Sequence, residues 1–400
     1  MQEVVIAGYL RTAQSRARPK DPSRDWLHAY RADDLLAAVL PSVLEQAKVK
    51  PDDVQDFLVG CSFGVSENWT YGGRLPLFLA NMSPRTPAKF LDQQCGSSMA
   101  GLQIGFMEIA TGFADVVVVG GMEHMTRVPM GPSLFSNGTI SVNPRLYEEE
   151  GFAHWDMGTT MFMGLTAEKL QQQTGFSRED LDRWAVRSHH YAARAQEEGF
   201  FAGEILPLPA KDPEGNDFMV DRDQAVRAQA TLEELSKLKP VFSEDGVITA
   251  GNSSPLNAGA SAMVLMSRQA ADARGVRPMA SVRSVGFVGV DPTLMGEGPV
   301  PASRMALDKA GLRVEDIDFW EINEAFCIVA LNCIKQLGLD PERVNVKGGG
   351  TALGHPLGAT GVRLVGTLAR ILEEKQARWG VANACVGGGQ GVATLIERLG

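Results

Sequence analysis

The chain places a potential nucleophile among small residues that would leave it accessible. Cys95 follows KFLDQQ and precedes GSSMAGLQ, which predicts a short strand running into a helix that opens just after the cysteine. Free N–H groups and the positive end of the dipole at a helix N-terminus lower the pKa of a thiol and favour the thiolate. A free cysteine is more commonly a buried structural residue, so position alone leaves both interpretations open.

A potential base lies far along the chain in GGGTALGHPLGATG. The glycines around His355 permit tight turns, and Pro356 suits the first turn of a helix. The imidazole could accept the proton of the Cys95 thiol or donate to a developing oxyanion, if the fold brought the two residues together. A lone histidine in such a loop is more often incidental, so this hypothesis depends on how the two segments are related.

Two further segments carry candidate groups at the ends of predicted strands. Asn323 in WEINEAF has an amide that could hold a water or a carbonyl oxygen, although it could equally cap a helix beginning at Glu324. Cys385 in NACVGGGQG follows a predicted strand over 381–384. The glycine-rich turn at 387–389 could aim backbone N–H groups at an anion, or could be only a flexible hairpin.

An internal repeat would bring these segments together. Residues 38–59 and 302–322 both predict an amphipathic helix, a turn and a strand, with DDVQDF aligned to EDIDFW. Both copies continue with a glycine-rich turn, a small-residue helix and a strand ending in glycine, so Cys95 and His355 occupy corresponding places. We predict an α/β protein in which two copies of one mixed unit face each other around a shared centre. The alternative is a chance likeness between helix–turn–strand units.

The two copies are separated by a stretch with more charge, more methionine and fewer strand-like runs. Within it, residues 164–199 predict helices, with a helix start at Ser177, and residues 207–223 predict a loop with a turn near 213–216. The predicted parts are a first half, 1–121 plus 251–275, an inserted loop domain, 122–250, and a second half, 276–400.

Composition argues against several classes of protein. The 400 residues exceed the roughly 250–300 that one core supports, so more than one packed unit is expected. The net charge of −10 disfavours a nucleic-acid binder. No apolar run approaches the roughly 20 residues of a membrane span.

Cysteine usage and the termini indicate a reduced compartment. The five cysteines are odd in number and lack CxxC spacing, so neither a disulfide framework nor a metal site is expected. The opening MQEVVIAGYLRT predicts a strand rather than a signal peptide, and the ending ATLIERLG is not a peroxisomal tripeptide. We therefore expect a cytoplasmic protein.

Taken together, the motifs resemble the thiolase family over nearly the whole chain. QQCGSSMAG, VVVVGGMEHM, AGNSSPLNAGASA, NEAF, GHPLGATG and CVGGGQG follow one another in the family's order and at similar distances. CGSSM, EHMTRVPM and MGLTAE look most like the 3-ketoacyl-CoA thiolases of fatty-acid β-oxidation. The resemblance implies the thiolase fold, with duplicated mixed βαβαβαββ halves in five α-β-α-β-α layers and an inserted loop domain.

The resemblance also implies roles for the candidate residues. Cys95 would carry the acyl group as a thioester, and Cys385 would protonate the departing acetyl-CoA enolate, or abstract the α-proton in the condensing direction. His355 would activate Cys95 and, with a water held by Asn323, stabilise the enolate. The backbone N–H groups of Cys95 and Gly387 would form a second oxyanion site.

Coenzyme A would be a co-substrate, without any prosthetic group. The resemblance implies that the inserted domain binds it, with Ser254 near the pantetheine, Arg227 near the nucleotide end, and Met163 and Phe326 as further contacts. Related thiolases form homodimers or homotetramers, or act as the β-subunit of a fatty-acid oxidation complex.

The chain also departs from the family pattern. Residues 15–30, SRARPKDPSRDWLHAY, are longer and more basic than expected, and Phe162 stands where acetoacetyl-CoA-specific relatives usually have histidine. Six of the sixteen methionines fall between Met122 and Met163. They could line a pocket for acyl chains longer than acetoacetyl, or simply fill an ordinary core.

Alternative functions remain at this stage. The same residues could serve a biosynthetic acetoacetyl-CoA thiolase that condenses two acetyl-CoA molecules, or a non-catalytic acyl-CoA- or lipid-binding relative. A β-ketoacyl synthase shares the duplicated fold, but Cys385 and the NEAF motif argue against it. Papain-like proteases have the order Cys, His, Asn rather than the order Cys, Asn, His found here.

Overall fold

The computed structural model describes residues 1–128, 130, 134–135 and 140–399. Pro129 of the EHMTRVPM motif lies outside the described residues. The strands are β1 (Val4–Thr12), β2 (Ser15–Arg16), β3 (Asp56–Gly60), β4 (Ala88–Leu91), β5 (Val116–His124), β6 (Ile205–Leu206), β7 (Leu208–Lys211), β8 (Asp217–Val220), β9 (Asn257–Ser267), β10 (Ala280–Gly289), β11 (Phe319–Ile322), β12 (Trp379–Val386) and β13 (Gln390–Glu397).

The α-helices alternate with these strands in both halves of the chain. They are α1 (Ala32–Gln46), α2 (Arg74–Leu79), α3 (Ser97–Ala110), α4 (Arg145–Glu148), α5 (Met157–Thr160), α6 (Met163–Thr174), α7 (Arg178–Glu197), α8 (Leu232–Ser236), α9 (Arg268–Ala273), α10 (Pro299–Ala310), α11 (Cys327–Leu337), α12 (Gly350–Leu353) and α13 (Leu357–Lys375).

Strand order confirms the predicted duplication. The first half forms the sheet β4-β3-β5-β9-β1, and the second forms β11-β12-β13-β10. If the main strands are numbered in chain order within each half, and number 3 is left vacant in the second half, the spatial orders are 3-2-4-5-1 and 2-4-5-1. In both halves the last of these strands, β9 or β13, runs antiparallel to its two neighbours. A single parallel bridge, Trp320 to Val344, stands where the second half would have its third strand. The halves are joined where β1 pairs with β10, at Val4–Ile6 and Ala280–Val282.

The five predicted layers are confirmed. Helix α1 packs on the outer face of the first sheet and α10 on the outer face of the second, while α3 and α13 lie between the sheets. Side chains alternate along β1 as a pleated strand requires. Val5 lies in the outer core with α1, whereas Val4 and Ile6 lie in the central core that also contains Met99 and Val362.

The two central helices touch backbone to backbone near their N-termini. A Cβ atom at Gly361 of α13 would overlap the backbone nitrogen of Met99 in α3. The hydroxyl of Ser98 accepts a hydrogen bond from the backbone N–H of Val362 at 3.1 Å. Only glycine at position 361 permits this approach, because any side chain there would push the helices apart.

The chain between β5 and β9 forms the insertion. Its predicted helices are confirmed, and Ser177 begins α7 with a reciprocal hydrogen-bonded cap involving Asp180. The prediction of a loop over 207–223 is wrong, because β7 and β8 pair as a hairpin around the predicted turn. The hairpin forms because Phe218 packs edge-on against Trp26 with ring centroids 5.6 Å apart, which gives one face of the short strands an apolar partner.

Replacing Gly361 with alanine should destabilise the fold. The added methyl group must displace backbone at Met99, and overpacking of this kind typically costs about 1–3 kcal/mol. Urea denaturation followed by circular dichroism should show a lower midpoint than the wild type. Gly158→Ala is the matched helical control, because its Cβ would meet only a carboxylate oxygen of Asp156 at 3.5 Å. Equal midpoints for the two variants would contradict the close approach.

Candidate active site

Cys95 stands where a tight turn enters a helix, as predicted. A 3₁₀ turn covers Gln94–Gly96, and α3 begins at Ser97. Gln94 has a φ of 47°, a strained value for a residue other than glycine. Its side chain donates a hydrogen bond to the carbonyl of Ser62 at 3.2 Å, which helps to hold this turn in place. Backbone strain next to a reactive side chain is typical of functional sites.

The Cys95 thiol is enclosed, and this overturns the expected low pKa. Burial raises the pKa to about 12, although the backbone N–H groups of Cys95 and Gly387 both face the sulfur and lower it. The side chain packs with Ala17, Met125 and Leu357. Loss of hydration therefore outweighs the helix N-terminus, and the resting thiol is neutral. A neutral thiol needs a base to become a nucleophile.

His355 is held as a neutral imidazole. Burial, with a smaller contribution from the charge of Arg363, lowers its pKa to about 3. Its Nδ1 lies 2.6 Å from the hydroxyl oxygen of Thr360, and this hydroxyl donates its own hydrogen to the carbonyl of Pro356 at 2.9 Å. Because that hydrogen is committed, the hydroxyl oxygen accepts from Nδ1–H. The Nε2 atom is consequently left with a lone pair and can act as a base.

Asn323 donates a hydrogen bond from its side-chain amide to this imidazole nitrogen. Its Nδ2 is 3.2 Å from His355 Nε2, and its backbone N–H donates to the carbonyl of Asn383. The alternative role as a helix cap is wrong, because α11 begins at Cys327 with Phe326 in the capping position. The Asn323 side chain is fully buried, and its Oδ1 has no hydrogen-bond partner within the described part of the chain. A buried acceptor of this kind suits a water or a ligand.

Cys385 and the turn after it face the same centre. Cys385 is fully buried near the end of β12, and burial together with the nearby Cys95 sulfur raises the pKa of its thiol. Gly388 and Gly389 have φ values of 79° and 75°, which glycine adopts readily in the three-residue turn, 387–389, between β12 and β13. The turn is thus an ordered hairpin that directs the N–H of Gly387 at Cys95.

Of the four predicted coenzyme A contacts, Met163 lies at this centre, and Ser254 and Phe326 lie beside the segment that contains Asn323. The Met163 sulfur is 3.4 Å from the position that a Cβ of Gly387 would occupy. Phe326 packs edge-on against Phe242, and the N–H of Ser254 donates to the carbonyl of Ala325 at 2.9 Å.

The fourth predicted coenzyme A contact, Arg227, lies beside the basic N-terminal segment. Arg227 is exposed, its backbone N–H donates to Nδ1 of His189, and its charge acts on Arg16 and Arg18 of the basic N-terminal segment.

Sequence analysis missed the residues that position His355. Besides Thr360, the side chain of Asn257 matters, since its Oδ1 accepts from the backbone N–H of His355 at 2.8 Å. Buried Glu123 accepts from the N–H of Ser62 in the first half and from the N–H of Gly358 in the second. These residues lie inside the quoted motifs, but only the fold shows which groups their side chains reach.

The described residues contain no group of three or more His, Cys, Asp or Glu side chains that could hold a metal ion. Within the same residues, none of the helices combines the length and the apolar character needed to cross a bilayer.

Comparisons with known proteins show which family the chain resembles. Models of the thiolase N-terminal domain and the thiolase C-terminal domain match residues 4–269 and 276–398. The chain is 39% identical to the 3-ketoacyl-CoA thiolase of Marinobacter nauticus, over 100% of this chain and 99% of that relative. It is 40% identical to the 3-ketoacyl-CoA thiolase of Aeromonas hydrophila, over 100% of both. The chain belongs to the thiolase family.

The solved structures agree with this assignment. The acetyl-CoA acetyltransferase of Bacillus anthracis superposes with a TM-score of 0.87 at 34% identity, covering 100% of this chain and 99% of that one. In this thiolase, Cys95 belongs to the N-terminal family domain, whereas Asn323, His355 and Cys385 belong to the C-terminal one. The candidate site is therefore assembled across both halves of the duplicated fold.

The neutral resting state of the thiolase predicts how Cys95 responds to pH. With a pKa of about 12, the thiolate fraction and the iodoacetamide labelling rate should rise about tenfold per pH unit from about pH 7 to pH 10. Peptide mass spectrometry would follow labelling at Cys95, with Cys95→Ser reporting labelling of the other cysteines. A plateau below about pH 8 would contradict a neutral thiol and indicate a thiolate stabilised in the resting protein.

Proposed function

We propose that this thiolase cleaves 3-ketoacyl-CoA with coenzyme A, giving acetyl-CoA and a shortened acyl-CoA through a thioester on Cys95. The observation that supports this most directly is that the Cys95 thiol lies near the Cys385 thiol and packs with Leu357, two residues after the neutral imidazole of His355, while backbone N–H groups face the Cys95 sulfur. Such a centre suits acyl transfer, in which charge appears only during the reaction. The names of the two bacterial relatives agree with this activity.

The first half of the reaction forms the thioester. His355 Nε2 accepts the thiol proton as the Cys95 sulfur attacks the 3-keto carbon. The N–H groups of Cys95 and Gly387 stabilise the resulting oxyanion, and removal of one such donor typically costs about 2.7–4 kcal/mol. The carbon–carbon bond then breaks, leaving the acyl group on sulfur and an enolate of acetyl-CoA, which Cys385 protonates.

The second half regenerates the enzyme. After acetyl-CoA leaves, the Cys385 thiolate takes the proton of an incoming coenzyme A thiol, whose sulfur attacks the thioester and releases the shortened acyl-CoA. The Cys95 sulfur that leaves takes back its proton from His355. His355 and a water held by the unpartnered Oδ1 of Asn323 would stabilise the enolate oxygen. The oxyanion formed at the 3-keto group and the enolate oxygen would thus each have their own set of hydrogen-bond donors.

Coenzyme A is a co-substrate here, and no prosthetic group is needed. The insertion, residues 122–250, would supply much of its binding surface, between a first half of 1–121 plus 251–275 and a second half of 276–400. Strand β5 itself continues to His124, so the first boundary falls inside a strand. Ser254, Met163 and Phe326 would contact the pantetheine arm near the reacting centre.

Acyl chains longer than acetoacetyl are the proposed substrates. A groove of about 400 Å³ lies behind the turn at Gly388 and Gly389, lined in part by Trp155 and Met157. A flexible methionine beside an aromatic ring suits apolar chains of varied shape. Phe162, which is half exposed, places an apolar side chain where acetoacetyl-CoA-specific relatives usually have histidine. We place the enzyme in cytoplasmic fatty-acid β-oxidation, either alone or within an oxidation complex.

The two cysteines should separate into distinct roles when they are replaced. Cys385→Ala should still become acetylated at Cys95 by acetyl-CoA, but its thiolysis rate should fall about 10²–10⁴-fold, because a general acid/base contributes that much. Cys95→Ser should lose both the acetyl mass shift and thiolysis. Acetylation of Cys95→Ser at another residue would overturn the assigned nucleophile.

The accompanying control measures thiolysis by the wild type with 3-ketoacyl-CoA substrates of increasing chain length. Thiolysis of medium-chain 3-ketoacyl-CoA at rates comparable to or above acetoacetyl-CoA would support degradation. Activity confined to acetoacetyl-CoA would favour the biosynthetic alternative, and no turnover of any chain length would favour a non-catalytic binder.

Two copies of the chain should associate through an apolar patch beside the free edge of β4. Trp69, Tyr71, Phe78 and Leu79 are each more than half exposed, and β4 ends the sheet. Large exposed aromatic groups next to an unpaired strand edge typically mark an interface. Trp69→Glu with Phe78→Glu should convert a dimer or tetramer to smaller species in light scattering.

The control for this association is Met219→Glu, which also replaces a half-exposed apolar residue but lies on the hairpin strand β8. It should leave the mass unchanged. A monomeric wild type, or a double variant that keeps the wild-type mass, would contradict the interface.

A further inference from the structure

The three glycines of the turn between β12 and β13 give it little conformational restraint of its own. Glycine adopts φ values of either sign at low cost, so the run over 387–389 needs outside contacts to hold one shape. The direction of the Gly387 N–H depends on that shape, and this N–H faces the Cys95 sulfur. The groups that fix the turn therefore affect the oxyanion site of the proposed reaction.

One such group is the side chain of Gln390, the residue that begins β13. Its backbone pairs with Val386 across the turn, while its Nε2 donates a hydrogen bond to the carbonyl of Gly387 at 3.2 Å. The strand pair holds the chain just before the Gly387 N–H, and the side-chain amide holds the next peptide group. Gly387 is thus restrained on both sides.

The Gln390 amide is held in turn by a glutamine from the other half of the fold. The Nε2 of Gln93 donates a hydrogen bond to the Oε1 of Gln390 at 3.0 Å. The orientations of the two amides follow from this network, because the Gly387 carbonyl can accept only from an NH2 group. The Oε1 of Gln390 is then left to accept from Gln93, so the two side chains form a relay that ends at the Gly387 carbonyl.

Gln93 is itself tied to the turn that carries the nucleophile. Its backbone N–H donates to the hydroxyl oxygen of Ser97 at 3.0 Å, and its backbone carbonyl accepts from the N–H of Gly96 at 2.9 Å. Cys95 lies between the ends of these bonds. The relay therefore connects the turn that presents the sulfur with the turn that presents the Gly387 N–H, across the boundary between the two family domains.

The far end of the glycine turn is anchored separately. The N–H of Val290 donates to the carbonyl of Gly389 at 2.7 Å, and a Cβ atom at Gly389 would overlap the backbone of Pro292. Loss of the Gln390 amide should consequently loosen the end of the turn at Gly387 and leave the end at Gly389 in place.

We propose that Gln93 and Gln390 are positioning residues that hold the Gly387 N–H ready for the oxyanion at the 3-keto carbon and for the carbonyl of the Cys95 thioester. The inference rests on the proposed function, which makes this N–H an oxyanion donor. Such a donor is effective only if it is oriented before the charge forms, so a loosened turn weakens stabilisation of the transition state more than substrate binding.

The first measurement is thiolysis of acetoacetyl-CoA, whose short acyl group does not need the groove that Gln390 also lines. Gln93→Ala and Gln390→Ala should each lower kcat about 10–100-fold with KM within about twofold, a smaller loss than the roughly 10²–10³-fold seen when an oxyanion donor is removed outright. Because the two residues act as one relay, the double variant should be no slower than Gln390→Ala. Gln390→Met keeps the side-chain length but removes both hydrogen bonds, and should be as slow as Gln390→Ala.

The second measurement is the infrared band of the Cys95 thioester. Acetylation with acetyl-CoA that carries ¹³C at the acetyl carbonyl should give the wild type a carbonyl band at lower frequency than a thioester in water, because oriented N–H groups polarise the bond. In Gln390→Ala the band should move toward the value in water and broaden. A general loss of stability would lower the amount of thioester without shifting its band.

Gln376→Ala is the matched control. The side chain of Gln376 makes the same kind of bond, to the carbonyl of Glu373 three residues earlier at 2.8 Å, but at the C-terminal end of α13. Its kcat and its thioester band should equal those of the wild type, and thermal melting should show that all variants are folded at the assay temperature.

An unchanged kcat in Gln390→Ala would overturn the proposal, as would wild-type activity in Gln390→Met, which would indicate packing rather than hydrogen bonding. Losses that multiply in the double variant would contradict a single relay, and an unshifted thioester band would contradict the effect on the Gly387 N–H. Failure of the proposed function has a different result, since the wild type would then form no thioester at Cys95 and cleave no 3-ketoacyl-CoA.

Discussion

The contact between the first turns of α3 and α13 fixes the geometry on which everything else depends. Met99 and Gly361 approach backbone to backbone there, and the Ser98 hydroxyl is hydrogen-bonded to the second helix. Because Cys95 and His355 immediately precede these turns, the same contact sets where the sulfur and the imidazole stand. Apolar packing alone is non-directional, whereas close-packed backbone is rigid and transmits small displacements.

Burial then determines the electrostatics of the site. It raises the pKa of Cys95 to about 12 and lowers that of His355 to about 3, so both are uncharged before substrate arrives. In the proposed reaction, the fixed N–H groups at Cys95 and Gly387 would have no full charge to stabilise until an oxyanion forms. Donors oriented in advance need no reorganisation during the reaction, which is how such sites favour the transition state over the ground state.

The sequence was informative where the controlling interactions are local. Glycine spacing and helical periodicity predicted the repeat, the helix start after Cys95 and the correspondence of Cys95 with His355. The prediction of a lowered pKa for the Cys95 thiol was wrong. A helix N-terminus can be recognised in the sequence, whereas loss of hydration depends on residues from distant segments, such as Ala17 and Leu357. The positioning role of Thr360 was missed for the same reason, because only the fold shows that its hydroxyl contacts the imidazole of His355.

The duplicated and unduplicated parts of the chain carry different kinds of interaction. The repeated units place Cys95 and His355 at equivalent points, and the central helices meet there through apolar side chains and backbone. The arginines of the basic N-terminal segment and Arg227 lie outside the repeat, in the segment after β1 and in the insertion. Burial penalises charge in the central layer, and the buried Arg363 there lies 3.3 Å from the carboxylate of Glu321. The arginines outside the repeat can remain partly hydrated, so their charges lie at the border of the candidate site while Cys95 and His355 stay uncharged.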